Sequence, residues 1–142
     1  VTDLDRKLAG LRMLLIGFLI FRVVGTGILA YSFSRVGRAI LPAPVAAYTF
    51  LAVAAAAGAI CIAAAVFARI LPSGTTVGER FPQFTRQTCN RVGLLGIPGI
   101  ILLIGFGLTN NWFLLAPLPC LWIGSLLVLP SQEKYERWAA GG

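Results

Sequence analysis

Residues 13–33 read MLLIGFLIFRVVGTGILAYSF: twenty-one positions in which the only charge is Arg22. About twenty apolar residues cross a hydrocarbon core of roughly 30 Å as a helix. This run therefore reads as a membrane span, and three more follow at 45–68, 92–109 and 112–129. Spans three and four are separated by little more than Asn110-Asn111, which predicts a tight antiparallel hairpin. After Pro130, Ser131 sits where it can cap a short interfacial helix over 131–139. There Glu133 and Arg137 lie four apart, and Tyr135 and Trp138 share a face. The expected fold is all-α: an integral membrane four-helix bundle forming one domain over the 142 residues.

Composition agrees. Hydrophobic residues make up 58% of the chain and charged residues 12%, with a mean hydropathy of +0.86. A charged share near 25% is usual in soluble domains. A water-soluble fold of this length has too little interior to hide so much apolar surface. No segment reads as a cleaved signal peptide, because the first apolar run is long and no polar domain follows it. Val1 leaves room for an upstream piece, and Gly141-Gly142 are native or added.

Direction follows from Lys and Arg in the short loops. One side of the four spans would carry Arg6, Lys7, Arg12, Arg69, Arg80, Arg86, Arg91, Lys134 and Arg137; the other would carry Arg35 and Arg38. Nine against two predicts that both termini and the 70–91 loop lie on the cytoplasmic side of a bacterial inner membrane or an organellar one. Tyr31, Phe33 and Trp112 fall at the opposite interface, where amphipathic rings are favoured. The net charge of +7 is then accounted for by anionic lipid headgroups, and nucleic acid is not an expected partner.

Several chemistries lack their groups. There is no histidine, hence no usual haem ligand, zinc ligand or general base. Cys61, Cys89 and Cys120 are odd in number and widely spaced, so they read as small hydrophobes and not as a disulfide framework. All five carboxylates lie outside the spans. Proton-coupled cation exchange of the kind small multidrug resistance transporters perform, with an acid in the first span, has no acid here. No catalytic residue, metal or cofactor is expected, and the chain reads as no enzyme.

Three groups of residues remain as candidates. Arg22 stands roughly 15 Å beyond Arg12 at 1.5 Å per residue, near the bilayer centre. A central Arg costs at least about 2.5–3.5 kcal/mol to insert, so it faces protein or water. Three explanations stand open: an acid or carbonyl of another subunit, an anion-binding or aqueous cavity, or snorkelling toward the cytoplasm. Gly25 and Thr26 share its face and favour a close helix contact. In span two, Ala54/Gly58 and Ala55/Ala59 are small-x-x-x-small pairs that let backbones approach. The 70–91 segment, with Arg80, Phe81, Phe84, Arg86 and Arg91, reads as an interfacial segment gripping anionic headgroups or as a docking surface for a cytoplasmic partner, with the helix of span three able to begin as early as Thr85. Pro117 and Pro119 are expected to kink span four and free the carbonyls of Phe113 and Leu115.

The functional expectation is a non-catalytic accessory, scaffold or assembly subunit of a larger membrane complex, docked through spans one and two. The alternative is a small oligomeric transporter or channel passing an anion or lipid-like solute by Arg22.

Overall fold

A computed structural model describes residues 2–37, 39–41 and 44–141 of the chain. Arg38, counted above among the outer-loop charges, and the terminal Val1 and Gly142 lie outside the described residues. The described residues form six α-helices and one 3₁₀ turn, with no strand among them. Three helical stretches are long and apolar enough to cross a membrane: Asp3–Val36, Val45–Phe67 and Val77–Thr109. A fourth candidate is a broken pair, Trp112–Leu127 followed by Gln132–Ala139 at 67°.

Helix α1 (Asp3–Val36) begins ten residues before the apolar run, because Thr2 and Asp5 form a capping box. The Thr2 amide donates to Asp5 Oδ2 at 3.0 Å, and the Asp5 amide donates to Thr2 Oγ1 at 3.2 Å. At 1.5 Å per residue, 34 residues reach about 51 Å, so one end must project beyond any hydrocarbon layer. Gly37 ends the helix in the left-handed conformation at φ 66°. Helix α2 (Val45–Phe67) follows, and its length agrees with the sequence reading to within one residue.

The 70–91 segment is helical from Val77 onward, eight residues ahead of the Thr85 start. Helix α3 (Val77–Leu94) starts at a second capping box, Thr76 with Glu79. The amides of Thr75 and Thr76 donate to Glu79 Oε2 at 3.0 and 3.3 Å. Those donors, with the Thr76 hydroxyl, hold the Glu79 carboxyl below its ordinary range. Pro82 is tolerated in the second turn of this helix. Helix α4 (Gly96–Thr109) continues α3 after a break at Leu95, three residues before Pro98, whose nitrogen carries no proton to donate.

Span four also departs from a continuous helix. Asn110 turns the chain at φ 51°, and Asn111 Oδ1 accepts the Phe113 amide to open the 3₁₀ turn Trp112–Leu115. Helix α5 (Leu118–Leu127) starts afresh with Pro117 as its N-cap. Pro117 and Pro119 therefore initiate a helix and do not kink one, which is where a missing N–H costs least. The carbonyl of Phe113 is not freed either, since it accepts the Ala116 amide at 3.3 Å. Helix α6 (Gln132–Ala139) is capped by Ser131, as its sequence predicts, and carries the Glu133–Arg137 pair at 2.6 Å.

α4 lies against both α1 and α2 and makes its most extensive contact with α2. Its glycines allow this. A Cβ on Gly105 would stand 2.7 Å from Phe50 Cγ on α2, and one on Gly107 would stand 3.1 Å from Phe33 Cδ2 on α1. Side chains enter these gaps and form three apolar clusters along the molecule. The first joins Ala30, Ala47, Ala54, Leu102, Phe106, Leu114 and Leu118. The second joins Leu11, Leu15, Leu19, Val92 and Leu129. The third, at the basic end, joins Leu8, Phe84, Tyr135 and Trp138, with Tyr135 and Phe84 edge to face at 5.3 Å.

Gly105→Ala is expected to destabilise the isolated protein by about 1–3 kcal/mol, since a methyl cannot enter beside Phe50 without displacing it. Gly124→Ala, with open space at its Cβ, should be neutral or stabilise by up to about 1 kcal/mol. Thermal unfolding of both variants in detergent checks the pair.

Candidate functional site

The buried face of α1 runs Leu8, Leu11, Leu15, Leu19 and then Ala30. Arg22 and Thr26 continue the same three- and four-residue spacing, so Arg22 occupies a core-facing position between two leucine-lined clusters. Opposite it, α4 presents Gly96 and Gly99. A Cβ on Gly96 would lie 3.4 Å from Arg22 Cζ and from Nη2, and one on Gly99 would lie 3.7 Å from Nη2, ordinary van der Waals contact in both cases. The guanidinium rests close against the α4 backbone at these two glycines.

The result is a cleft of about 270 Å³, walled by Phe18, Phe21, Leu118 and Trp122 with Thr26 at one side. Arg22 is the one charged side chain lining it. Nη1 is buried and has no acceptor among the described residues. An Arg offers five N–H donors in a rigid fork and has nothing else to offer. The cleft therefore presents unmet donors in an apolar setting, which suits a carboxylate, a phosphate or a free carbonyl.

Of the residues singled out with Arg22, Thr26 lines the cleft and Gly25 does not. A Cβ on Gly25 would meet nothing within 4 Å, so no close helix contact is made there. The glycine contact sits on α4, in the three-residue spacing of Gly96 and Gly99. That spacing is visible in the sequence, although periodicity alone does not say which helix it faces.

Span two divides cleanly. Ala54 is buried, and Gly58 has Pro98 of α4 at 3.6 Å from its would-be Cβ. Ala55 and Ala59 point outward and are exposed. One small pair builds the fold and the other lies free on its surface.

The interfacial set separates in the same way. Phe84 is buried beneath α6 and is no lipid anchor, which corrects the interfacial reading. Tyr135 and Trp138 turn inward onto Phe84, so α6 shows the membrane none of its aromatic face. Phe81 is half-buried against both neighbouring clusters. Arg80 Nε donates to the Gly74 carbonyl at 2.8 Å. Arg86 is exposed, and Arg91 is half-buried at the junction of α2, α3 and α5.

Cys61 is buried, as expected of a small hydrophobe, whereas Cys89 and Cys120 are exposed. Among the described residues no three His, Cys, Asp or Glu side chains gather. Comparison with protein-family models, with curated proteins and with solved structures finds no match.

A buried donor without an acceptor costs about 1–3 kcal/mol. Arg22→Leu should therefore raise the unfolding temperature of the isolated chain in detergent. An unchanged or lower midpoint would mean that solvent or lipid already satisfies the guanidinium.

Proposed function

We propose that this chain is a non-catalytic accessory or scaffold subunit of a larger membrane complex. It inserts as a bundle of four spans: α1, α2, the apolar part of α3–α4, and 112–127, with the last two forming an antiparallel hairpin through Asn110-Asn111. Both termini face the cytoplasmic side, in keeping with the nine-to-two distribution of loop cations.

The observation that carries this reading is Arg22 Nη1, buried beside two glycines of α4 with no acceptor among the described residues. All five carboxylates are on residues 3, 5, 79, 133 and 136, remote from Arg22 in sequence and outside the apolar stretches. A membrane arginine normally pairs with an acid or with backbone carbonyls. The partner is accordingly a carboxylate or an unwound carbonyl on another membrane helix entering the cleft beside Phe18 and Phe21. The exposed Ala55/Ala59 pair on α2 supplies a second smooth surface for close helix approach.

One observation favours the alternative, a small oligomeric transporter or channel for an anion or lipid-like solute. The cleft is open, and Arg22 is its only charge.

Mass analysis of the protein extracted in mild detergent separates the two. The subunit reading predicts stoichiometric membrane partners on the native chain and their loss from Arg22→Leu, with at least partial retention in Arg22→Lys. A homo-oligomer without partners, unchanged by Arg22→Leu, would refute it and leave anion flux in liposomes as the next question.

Sidedness has its own check. With the native cysteines replaced, single cysteines at Thr2 and Ala140 should react with an impermeant maleimide from the cytoplasmic face only, and one at Ile40 from the opposite face only.

A further inference from the structure

The basic end of the molecule holds a second concavity, about 340 Å³, between α3, the end of α5 and α6. Four cationic side chains line it: Arg69, Arg91, Lys134 and Arg137, with no carboxylate among its walls. They come from three separate stretches of chain, Lys134 and Arg137 both from α6, and are brought together by the fold. Glu133 stands nearby on α6 and is paired with Arg137 at the exposed rim.

The floor is polar and rigid. The Trp138 indole N–H donates to the Ile70 carbonyl at 2.8 Å and to Gln87 Oε1 at 3.1 Å. Gln87 Oε1 also accepts the Ile70 amide at 3.0 Å. With that oxygen used, the Gln87 amide has only N–H donors left for a ligand. Lys134 Nζ donates to the carbonyls of Leu127 and Leu129 at 2.6 and 2.7 Å, which pins its ammonium at the rim. Walls and floor thus offer positive charge and donors, the complement of a phosphate group.

A second, largely apolar groove of similar size adjoins this pocket and shares Arg91 and Val128 with it. It runs between Cys61 and Ala65 of α2 and Leu94 and Leu95 at the α3–α4 break. A charged pocket opening onto an apolar groove along the spans matches one ligand shape: a phosphate headgroup joined to an acyl chain.

We propose that this pocket is a specific site for an anionic phospholipid, its headgroup phosphate held by Arg91 and Arg137 and one acyl chain in the adjoining groove. The site is distinct from the Arg22 cleft and does not depend on what occupies that cleft. Arg86 lies on α3 outside the pocket and is exposed, so it serves as the control charge.

The test is native mass spectrometry of the full chain titrated with phosphatidylglycerol or with phosphatidylcholine of the same acyl chains. Phosphatidylglycerol should bind more tightly. A cation near a membrane surface contributes about fivefold in affinity, so Arg137→Gln should weaken phosphatidylglycerol about fivefold and Arg91→Gln/Arg137→Gln about thirtyfold. Arg86→Gln should leave it unchanged, and Ala65→Phe, which fills the groove, should weaken it without removing a charge.

Circular dichroism confirms that each variant is folded, and Arg137→Gln, changed at an exposed residue, keeps the test decisive if the double variant is not. Equal affinity for the two lipids would overturn the proposal, as would native affinity in a folded Arg91→Gln/Arg137→Gln variant. Inorganic phosphate displacing phosphatidylglycerol at comparable concentration would overturn the lipid assignment in favour of a soluble phosphate.

Discussion

The structure depends on one physical constraint: α4 has faces without side chains. Between apolar helices in lipid there is no gain from leaving water, so helix association rests on packing and on the few polar groups present. Gly105 admits Phe50 from α2, Gly107 admits Phe33 from α1, and Gly96 with Gly99 admits Arg22 and Leu118. Each glycine is a hole, and each neighbouring helix supplies the knob. This is why α4, and not the longer α1, is the helix against which both α1 and α2 rest.

The same glycines explain how a charge comes to sit in a core position. Arg22 continues the leucine stripe of α1, and across the interface its guanidinium packs against α4 at Gly96 and Gly99. Even with the helix broken at Leu95, no acceptor among the described residues reaches Nη1. The fold thus accommodates the volume of the arginine and leaves its donors unmet at Nη1. In the subunit reading proposed above, that position is completed from outside the chain.

Much of this was legible in the residues. Uninterrupted apolar length announced the all-helical membrane character, and α2 and α6 were found nearly to the residue. Arg22 stood out because a lone charge in an apolar run is costly wherever it points. Other features were present but outweighed. Thr76 and Glu79 spell a capping box, and Phe81, Phe84, Thr88 and Val92 repeat at helical spacing. Helix α3 starts ahead of the apolar run, eight residues before Thr85, where span length gives no signal. The start of α1 was hidden for a similar reason, since a capping box closed by Asp5 is less familiar than one closed by Glu. What faces Arg22, and the gathering of Arg69, Arg91, Lys134 and Arg137, depend on contacts between residues tens of positions apart. Periodicity carries no information about those.

The two ends of the molecule are built differently, and the difference bears on what each can do. At the end opposite the basic one, the 39–41 segment is tied to α4 by backbone alone, the Ile40 and Leu41 amides sharing the Leu108 carbonyl. At the basic end, Trp138, Gln87 and the backbone of Ile70 form a buried polar clasp over an aromatic cluster that reaches the first turns of α1. Cations on a flexible tail would lose conformational entropy on gripping an anion, whereas these stand on a scaffold that is already ordered. The clasp also fixes the 68–76 connection, so α2 and α3 are joined by a braced turn and not by a slack loop. Through α3 that bracing continues into α4 across the single break at Leu95, immediately before Gly96.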